Sequence, residues 1–354
     1  EYTRDERFAD KVLFPGFVEG HSHLMEGALW RFIYVGYHDR VDPDGRVWPG
    51  ARSMDEVVER LVSEQAKLSD PAQPLVGWGL DPLYFGGRRC SREDLDKVST
   101  TRPVAITHAS LHIINANTPA LQAAGYLRQG IDHPGLPLGS DGLPTGECKG
   151  PDAMAPLSAK VGLDRGLLAA DANALRAFSR LCVRKGVTTA TDLAAPMTPE
   201  SVEALLSVTE QPGFPTRMVG LLRFLGQSPQ QLIDRALELK AQSTERLRLG
   251  MVKMVADGSI QGFSARIRWP GYYNGAPNGL WYTAPEQARA ALALALAKGV
   301  QIHTHTNGDE ATEMVLDAMA SALAEHPVPD HRFTLQHCQL ADAAQFRRMR
   351  ALGM

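Results

Sequence analysis

No apolar run in this chain is long enough to span a bilayer, so nothing in it reads as a transmembrane helix. Charge of one sign is also missing: 37 basic against 40 acidic residues leave a net charge of -3 with the histidines neutral. Such a balance gives no electrostatic reason to expect nucleic acid or an anionic membrane as partner. Cysteine is scarce. Cys90, Cys148, Cys182 and Cys338 are scattered and show no Cys-x-x-Cys spacing. That argues against a disulfide framework and against a thiolate metal site. There is no internal repeat, and no low-complexity stretch beyond the Ala/Leu-rich Ala290 to Ala297. The chain opens on Glu1, not methionine, so a leader peptide would lie outside it.

What is present is length and apolar content. The 354 residues are 44% apolar, enough for one large α/β domain with an insertion or for two domains. One rhythm recurs: an amphipathic or Ala-rich helix, a glycine, then a β-branched strand. Asp171 to Lys185 reads as a helix, Gly186 as its stop and Val187 to Asp192 as a strand. Ala284 to Lys298, Gly299 and Val300 to His305 repeat the pattern. Thr312 to Glu325 leads to the strand Arg332 to His337, and further strands are expected at Arg217 to Leu222 and Leu249 to Val255. Alternating helix and strand argues for a parallel α/β sheet or barrel.

The most informative segment is Phe14-Pro15-Gly16-Phe17-Val18-Glu19-Gly20-His21-Ser22-His23. Read as an extended strand running to His23, it aims both imidazoles to one side. Neutral imidazole is the commonest metal ligand. Two surface histidines would look the same in isolation, but further candidates fall at later strand ends: Lys253, His305 and His337. His303 shares the face of His305, which is preferred because it lies nearer the strand end. Candidates at the ends of so many strands favour a (β/α)₈ TIM-type barrel, whose active site sits at that face, over a doubly wound sheet with one crevice.

Lys253 lies in the apolar Met251-Val252-Lys253-Met254-Val255. A buried ammonium is costly unless paired or deprotonated. Two readings stand: pairing with a carboxylate such as Asp257 or Asp192, or reaction of the neutral amine with CO₂ to give an anionic carbamate that bridges metal ions. The loop Trp269 to Gly275 reads equally as a substrate wall or a structural loop. Asp141 and Glu147 read as solvated acids.

On Pro15-Gly16-Phe17 with His21-Ser22-His23, Gly186-Val187-Thr188-Thr189, Lys253 with Asp257-Gly258-Ser259, His305-Thr306-Asn307-Gly308-Asp309 and Gln336-His337-Cys338-Gln339, the chain resembles the amidohydrolase superfamily. Within it the pattern looks like the amidohydrolase family 3 branch, which includes N-substituted formamide deformylases. His112-Ile113-Ile114-Asn115-Ala116-Asn117 and Pro144-Thr145-Gly146 add to the likeness. The resemblance implies a (β/α)₈ barrel with a small β-sandwich and one or two divalent metals, usually zinc. It implies that His21 and His23 bind the buried metal, that carboxylated Lys253 bridges a binuclear centre, and that His305 and His337 bind the second ion. Many relatives carry a glutamate where Gly150 stands.

The expected organisation is residues 1–39 as the start of the barrel, 40–150 as an insertion over the active site, and 151–354 as strands 2–6 with their helices. Ala351-Leu352-Gly353-Met354 reads as a helix end followed by a new strand, so the last barrel strands, an aspartate after the eighth and most of the β-sandwich are expected beyond it. The expected function is hydrolysis of a C–N bond other than a peptide bond, in a linear amide or formamide, through a metal-bound hydroxide. In that scheme Lys253, His305 and His337 are catalytic residues, and the expected aspartate carries the proton to the leaving amine. A metal-dependent esterase, a cyclic amide hydrolase and a catalytically incomplete binding protein are the alternatives. The expected partner is a small amide-type molecule, with a homodimer left open and the cytoplasm as location.

Overall fold

In a computed structural model of the chain, the described residues are 3, 5–163, 171–195 and 197–354. Six strands form one parallel sheet in sequence order: β1 (Phe17–Glu19), β2 (Val187–Ala195), β3 (Arg217–Arg223), β4 (Leu247–Val255), β5 (Ile302–Thr306) and β6 (Thr334–His337). Laid flat at about 4.8 Å per strand, β1 and β6 would stand roughly 24 Å apart. Yet the ring of His21, just past β1, lies 4.6 Å from that of His337 at the end of β6. Two side chains are too short to span such a gap, so the sheet curls into an open half-barrel. The architecture is a mixed α/β fold built on this curled parallel sheet.

The helices Ala172–Arg184, Pro199–Thr209, Pro229–Lys240, Pro285–Lys298 and Asp309–Glu325 run between these strands. Asp171, Thr198 and Ser228 each accept a backbone N–H of the first helical turn, satisfying donors the helix itself leaves free. Gly299, at φ 64°, stops its helix in the left-handed conformation that glycine adopts freely. The helices cover the convex face, where Met218, Leu222, Val252, Met254 and Ile302 are buried in one large core. Leu193, Leu221 and Met251, with Val219, form a separate cluster on the other face. This alternation along β3 and β4 is what a sheet buried on both sides requires. No helix among the described residues is long and apolar enough to cross a membrane.

Residues 40–150 are more ordered than their turn-rich sequence implies. A second sheet runs Ile33–Tyr34, Leu75–Leu80, Val104–His108, Ile113–Ala116 and Glu147–Lys149, parallel for the first three and antiparallel for the last two. Val57, Leu61, Leu95 and Ile106 pack in one core and Ala105, Ile114, Leu121 and Leu157 in another. These strands are short and covered on both faces, so they show no period-two pattern to read. Glu147 is a correction: it is 5% exposed, not solvated, and pairs with Arg89 and with Lys149 at 3.5 Å. Asp141 is exposed as expected and pairs with Arg92 at 2.6 Å.

The phase of β4 depends on one extra residue. Val219 pairs with Arg248 and Leu221 with Met251, so β3 advances two residues while β4 advances three. Gly250 sits in this bulge at φ 93°, and a Cβ there would stand 2.4 Å from Lys240 Cβ. The bulge puts Met251 and Lys253 on the concave face. Gly250→Ala is expected to cost at least about 2 kcal/mol through left-handed strain and overpacking. Urea denaturation checks this; a change below about 0.5 kcal/mol would show that the bulge does not need glycine.

Candidate functional site

The site assembles at the carboxyl ends of the curled strands. β1 ends at Glu19, so His21 and His23 are not on a strand as expected but in the loop that follows it. Glu19 Oε1 accepts the His21 backbone N–H at 2.9 Å, and Ser22 Oγ donates to the Thr191 carbonyl at 2.5 Å. These bonds turn the loop, and the two rings stand 5.7 Å apart, nearly perpendicular. Lys253 and His305 are concave-face residues of β4 and β5, and both are buried. His337 ends β6 directly after Gln336, where alternation would send it away from the site. Its backbone is left-handed, at φ 70°, and its ring lies 4.6 Å from both His21 and His305. Such strain in a non-glycine residue is characteristic of functional sites.

Asp257 anchors the loops above β4 and β5. It is fully buried and accepts backbone N–H groups from Arg266, Asn307 and Gly308 at 2.8–2.9 Å. Burial pushes its carboxyl up to about 6 against those three donors. Gly308 fits only because it has no side chain: a Cβ would stand 1.6 Å from the Arg266 carbonyl oxygen. His305 Nε2 faces the Gly258 carbonyl at 3.1 Å. With the proton on Nε2, Nδ1 keeps its lone pair for a cation, the usual arrangement of a metal-bound histidine. Asp257 Oδ1 is 3.6 Å from His305 Nε2, but with the imidazole neutral this is no ion pair.

Lys253 has no bond to Asp257, which is committed to its three backbone donors. Its Nζ donates instead to Gln336 Oε1. Burial lowers the Lys253 amine to about 7, so a large fraction is uncharged at neutral pH. Gln336 Nε2 is 3.1 Å from His303 Nδ1, and the other nitrogen of His303 is 3.0 Å from Gln301 Nε2. Both nitrogens of His303 therefore face amides, which leaves His305 as the freer donor of the pair.

Burial holds His21, His303 and His337 at about 4 and His23 at about 3, with the Lys253 charge adding to the effect. Neutral imidazoles are the form that binds cations. The buried Nδ1 of His23 has no hydrogen-bond partner, which also fits a missing ligand. Two imidazoles on one zinc-sized ion would place their ring centres roughly 5 Å apart, against 4.6–5.7 Å for the His21, His23, His305 and His337 contacts. The donor set thus suits a divalent cation. Its rings are packed edge to face, however, and among the described residues no group of three or more His, Cys, Asp or Glu side chains is arranged to hold one.

Sequence reasoning ranked one residue here too low. His112, just before the strand Ile113–Ala116 of the second sheet, brings its ring to 5.1 Å from His305 and 5.5 Å from Tyr282. The neighbouring asparagines of its motif serve the fold: Asn117 accepts from the Val104 and Ala120 N–H groups, and Asn115 Nδ2 donates to the Cys90 carbonyl. In the Trp269 to Gly275 loop, Trp269 and Tyr273 are exposed, while Tyr272 is buried and donates to the Ala265 carbonyl at 2.8 Å. A cavity of about 660 Å³, lined by Arg176, Arg180, Arg184 and Phe214, lies near the amino ends of β2 and β3, away from the histidines.

A profile described as "Amidohydrolase family" matches residues 9–354. The chain belongs to the amidohydrolase family. This amidohydrolase is 26% identical to "Protein LONG AFTER FAR-RED 3" of Arabidopsis thaliana, over 95% of the chain and 56% of that protein. It is also 26% identical to "Putative amidohydrolase YtcJ" of Bacillus subtilis, over 94% of the chain and 59% of that protein. The chain thus spans less than two thirds of the length of either relative. Its fold is similar to that of an uncharacterized metal-dependent hydrolase from Pyrococcus horikoshii, with a TM-score of 0.60 and 19% identity, over 96% of this chain and 61% of that one.

The depressed histidines set a pH dependence for the cation-free amidohydrolase. Between pH 6.5 and about 4 the unfolded chain takes up protons on His21, His303 and His337 that the folded chain refuses. The histidines' share of the stability is then complete above pH 6.5 and is lost as the pH falls through that window, opposed below about pH 6 by the raised carboxyl of Asp257. The urea midpoint measured in chelator is expected to drop between pH 6.5 and 5, before most carboxylates titrate. A constant midpoint over that interval would contradict burial of these rings.

Proposed function

We propose that the chain carries the metal-holding part of a hydrolase that cleaves the C–N bond of a small amide or formamide. The observation that carries this reading is the gathering of His21, His23, Lys253, His305 and His337 at one end of a curled parallel sheet. Membership in the amidohydrolase family and the similarity to the Pyrococcus hydrolase support it. The complete architecture is proposed to be the (β/α)₈ barrel, with residues 40–150 as its insertion.

In this reading His21 and His23 hold one divalent ion, zinc being the first choice, and His305 and His337 a second. Bound there, such an ion supplies Lewis acidity that polarises a carbonyl and lowers the pKa of water. The protein's own part begins with desolvation, which keeps the imidazole lone pairs free of protons at neutral pH. The Gly258 carbonyl, 3.1 Å from His305 Nε2, offers an acceptor for the tautomer that leaves Nδ1 free. Neutral Lys253 Nζ attacks the carbon of CO₂, forming one N–C bond and releasing one proton to solvent. The product carbamate would share one negative charge over two oxygens, either of which could serve a cation. Gln336, which already accepts from Nζ, holds the lysine arm in place.

Elemental analysis of protein produced with added zinc is expected to find one or two ions per chain. Lys253→Ala is expected to weaken metal binding more than tenfold, as loss of a supporting ligand does at other sites. Lys253→Glu restores a carboxylate on a shorter arm and is expected to retain more metal than Lys253→Ala. Absence of divalent metal, with turnover of N-substituted formamides indifferent to chelator, would overturn the reading. Full metal content in Lys253→Ala would remove the carbamate from it.

A further inference from the structure

The cavity of about 660 Å³ at the amino ends of β2 and β3 lies away from the histidines, and the hydrolase reading makes no use of it. Its size is that of a small-molecule pocket. The helix Ala172–Arg184 turns Arg176, Arg180 and Arg184 into it from one face, at intervals of four residues. Phe214 and Pro215, just ahead of β3, line it as well, and Arg246 secures that segment by donating to the Phe214 carbonyl at 2.9 Å. Pro43, from the turn between Arg40–Val41 and Val47–Trp48, completes the wall.

These arginines are short of counter-charge. No acid occurs from Ala172 to Lys185, so like charges recur at i and i+4, an arrangement that weakens a helix. Among the described residues only Arg180 meets a carboxylate, that of Asp44, at 3.2 Å. Arg176 donates to the Gln211 side-chain oxygen at 3.3 Å and Arg184 to the Pro43 carbonyl at 3.0 Å, both uncharged acceptors. The nearest acids in sequence, Asp171 and Glu210, are engaged by Arg31 and Thr244. A helix face that merely meets solvent mixes its signs, as Pro229–Lys240 does with Asp234, Arg235 and Glu238. The Arg180–Asp44 pair is itself exposed, hence weak and open to exchange for a ligand.

We propose that this cavity binds a small organic diphosphate of the nucleoside diphosphate class. Three guanidinium charges against the single one of Asp44 leave an excess that suits a ligand with two or more negative charges. All three cations are arginine, whose planar fork grips phosphoryl oxygens two at a time. Val183 and Pro215 are exposed and line the same cavity. They offer apolar surface that a bare anion would leave wet and a heterocyclic base would cover. The stripe is only three arginines long and the chain's net charge is -3, so a nucleic-acid backbone is not the match. The site does not depend on the hydrolase reading.

The test titrates the full chain with ADP, AMP, pyrophosphate and citrate by calorimetry at low salt, with chelator present so that no cation mediates binding. ADP is expected to bind about 10-fold more tightly than AMP, which has one phosphoryl group fewer. It is also expected to bind more tightly than pyrophosphate, which lacks the base, and than citrate, whose charges are carboxylates. Arg176→Gln and Arg184→Gln are each expected to weaken ADP about 10-fold, and the double variant to lose measurable binding. Asp44→Asn is expected to tighten ADP about 2- to 5-fold by freeing Arg180 from an exposed pair. The turn survives that change, because the Asp44 and Arg46 N–H groups are held by Asp42 Oδ1. Absence of ADP binding by the wild type would overturn the proposal, as would AMP, pyrophosphate or citrate binding as tightly as ADP. So would ADP affinity that survives in a folded double variant, or that fails to rise in Asp44→Asn. Should the double variant not fold, the gain in Asp44→Asn decides alone.

Discussion

Desolvation of basic groups is the constraint on which this site depends. Histidines and a lysine are gathered at one end of the curled sheet, and the acid beside His305, Asp257, is fully committed to backbone N–H groups. Burial pushes each basic group toward its neutral form, and for the histidines the Lys253 charge adds to the effect. A protein that wanted salt bridges there would have placed carboxylates among them. What results instead is a set of uncharged nitrogen donors, suited to cations.

Backbone geometry serves this arrangement at three points. The glycine bulge in β4 sets the phase that turns Lys253 inward. The left-handed conformation of His337 brings its ring back over the site. The Asp257 carboxylate ties the loops after β4 and β5 together through main-chain donors. The side chain of Asp257 thus acts as a fold element, although it stands 3.6 Å from His305 and its sequence neighbourhood suggests chemistry.

The second sheet links residues 40–150 to the same site. Its strands bury apolar residues on both faces, and its polar asparagines satisfy main-chain groups, so it holds His112 on a firm support. A residue presented in this way meets His305 at a fixed ring distance of 5.1 Å.

The sequence by itself determined the repeating helix–glycine–strand pattern, the parallel sheet and the family, since periodicity and motif order are local properties. His305, His337 and Lys253 were legible because each closes or nearly closes a recognisable strand. The position of His21 and His23 was legible only in part: the motif was visible, but the end of β1 at Glu19 depends on the Glu19 and Ser22 hydrogen bonds. Tertiary structure alone decided the rest. Whether Glu147 is solvated or buried against Arg89 depends on residues 58 positions apart. That Lys253 faces Gln336 rather than a carboxylate depends on contacts between strands far apart in the chain. Burial and charge pairing are set by what packs around a residue, and a linear pattern cannot state that.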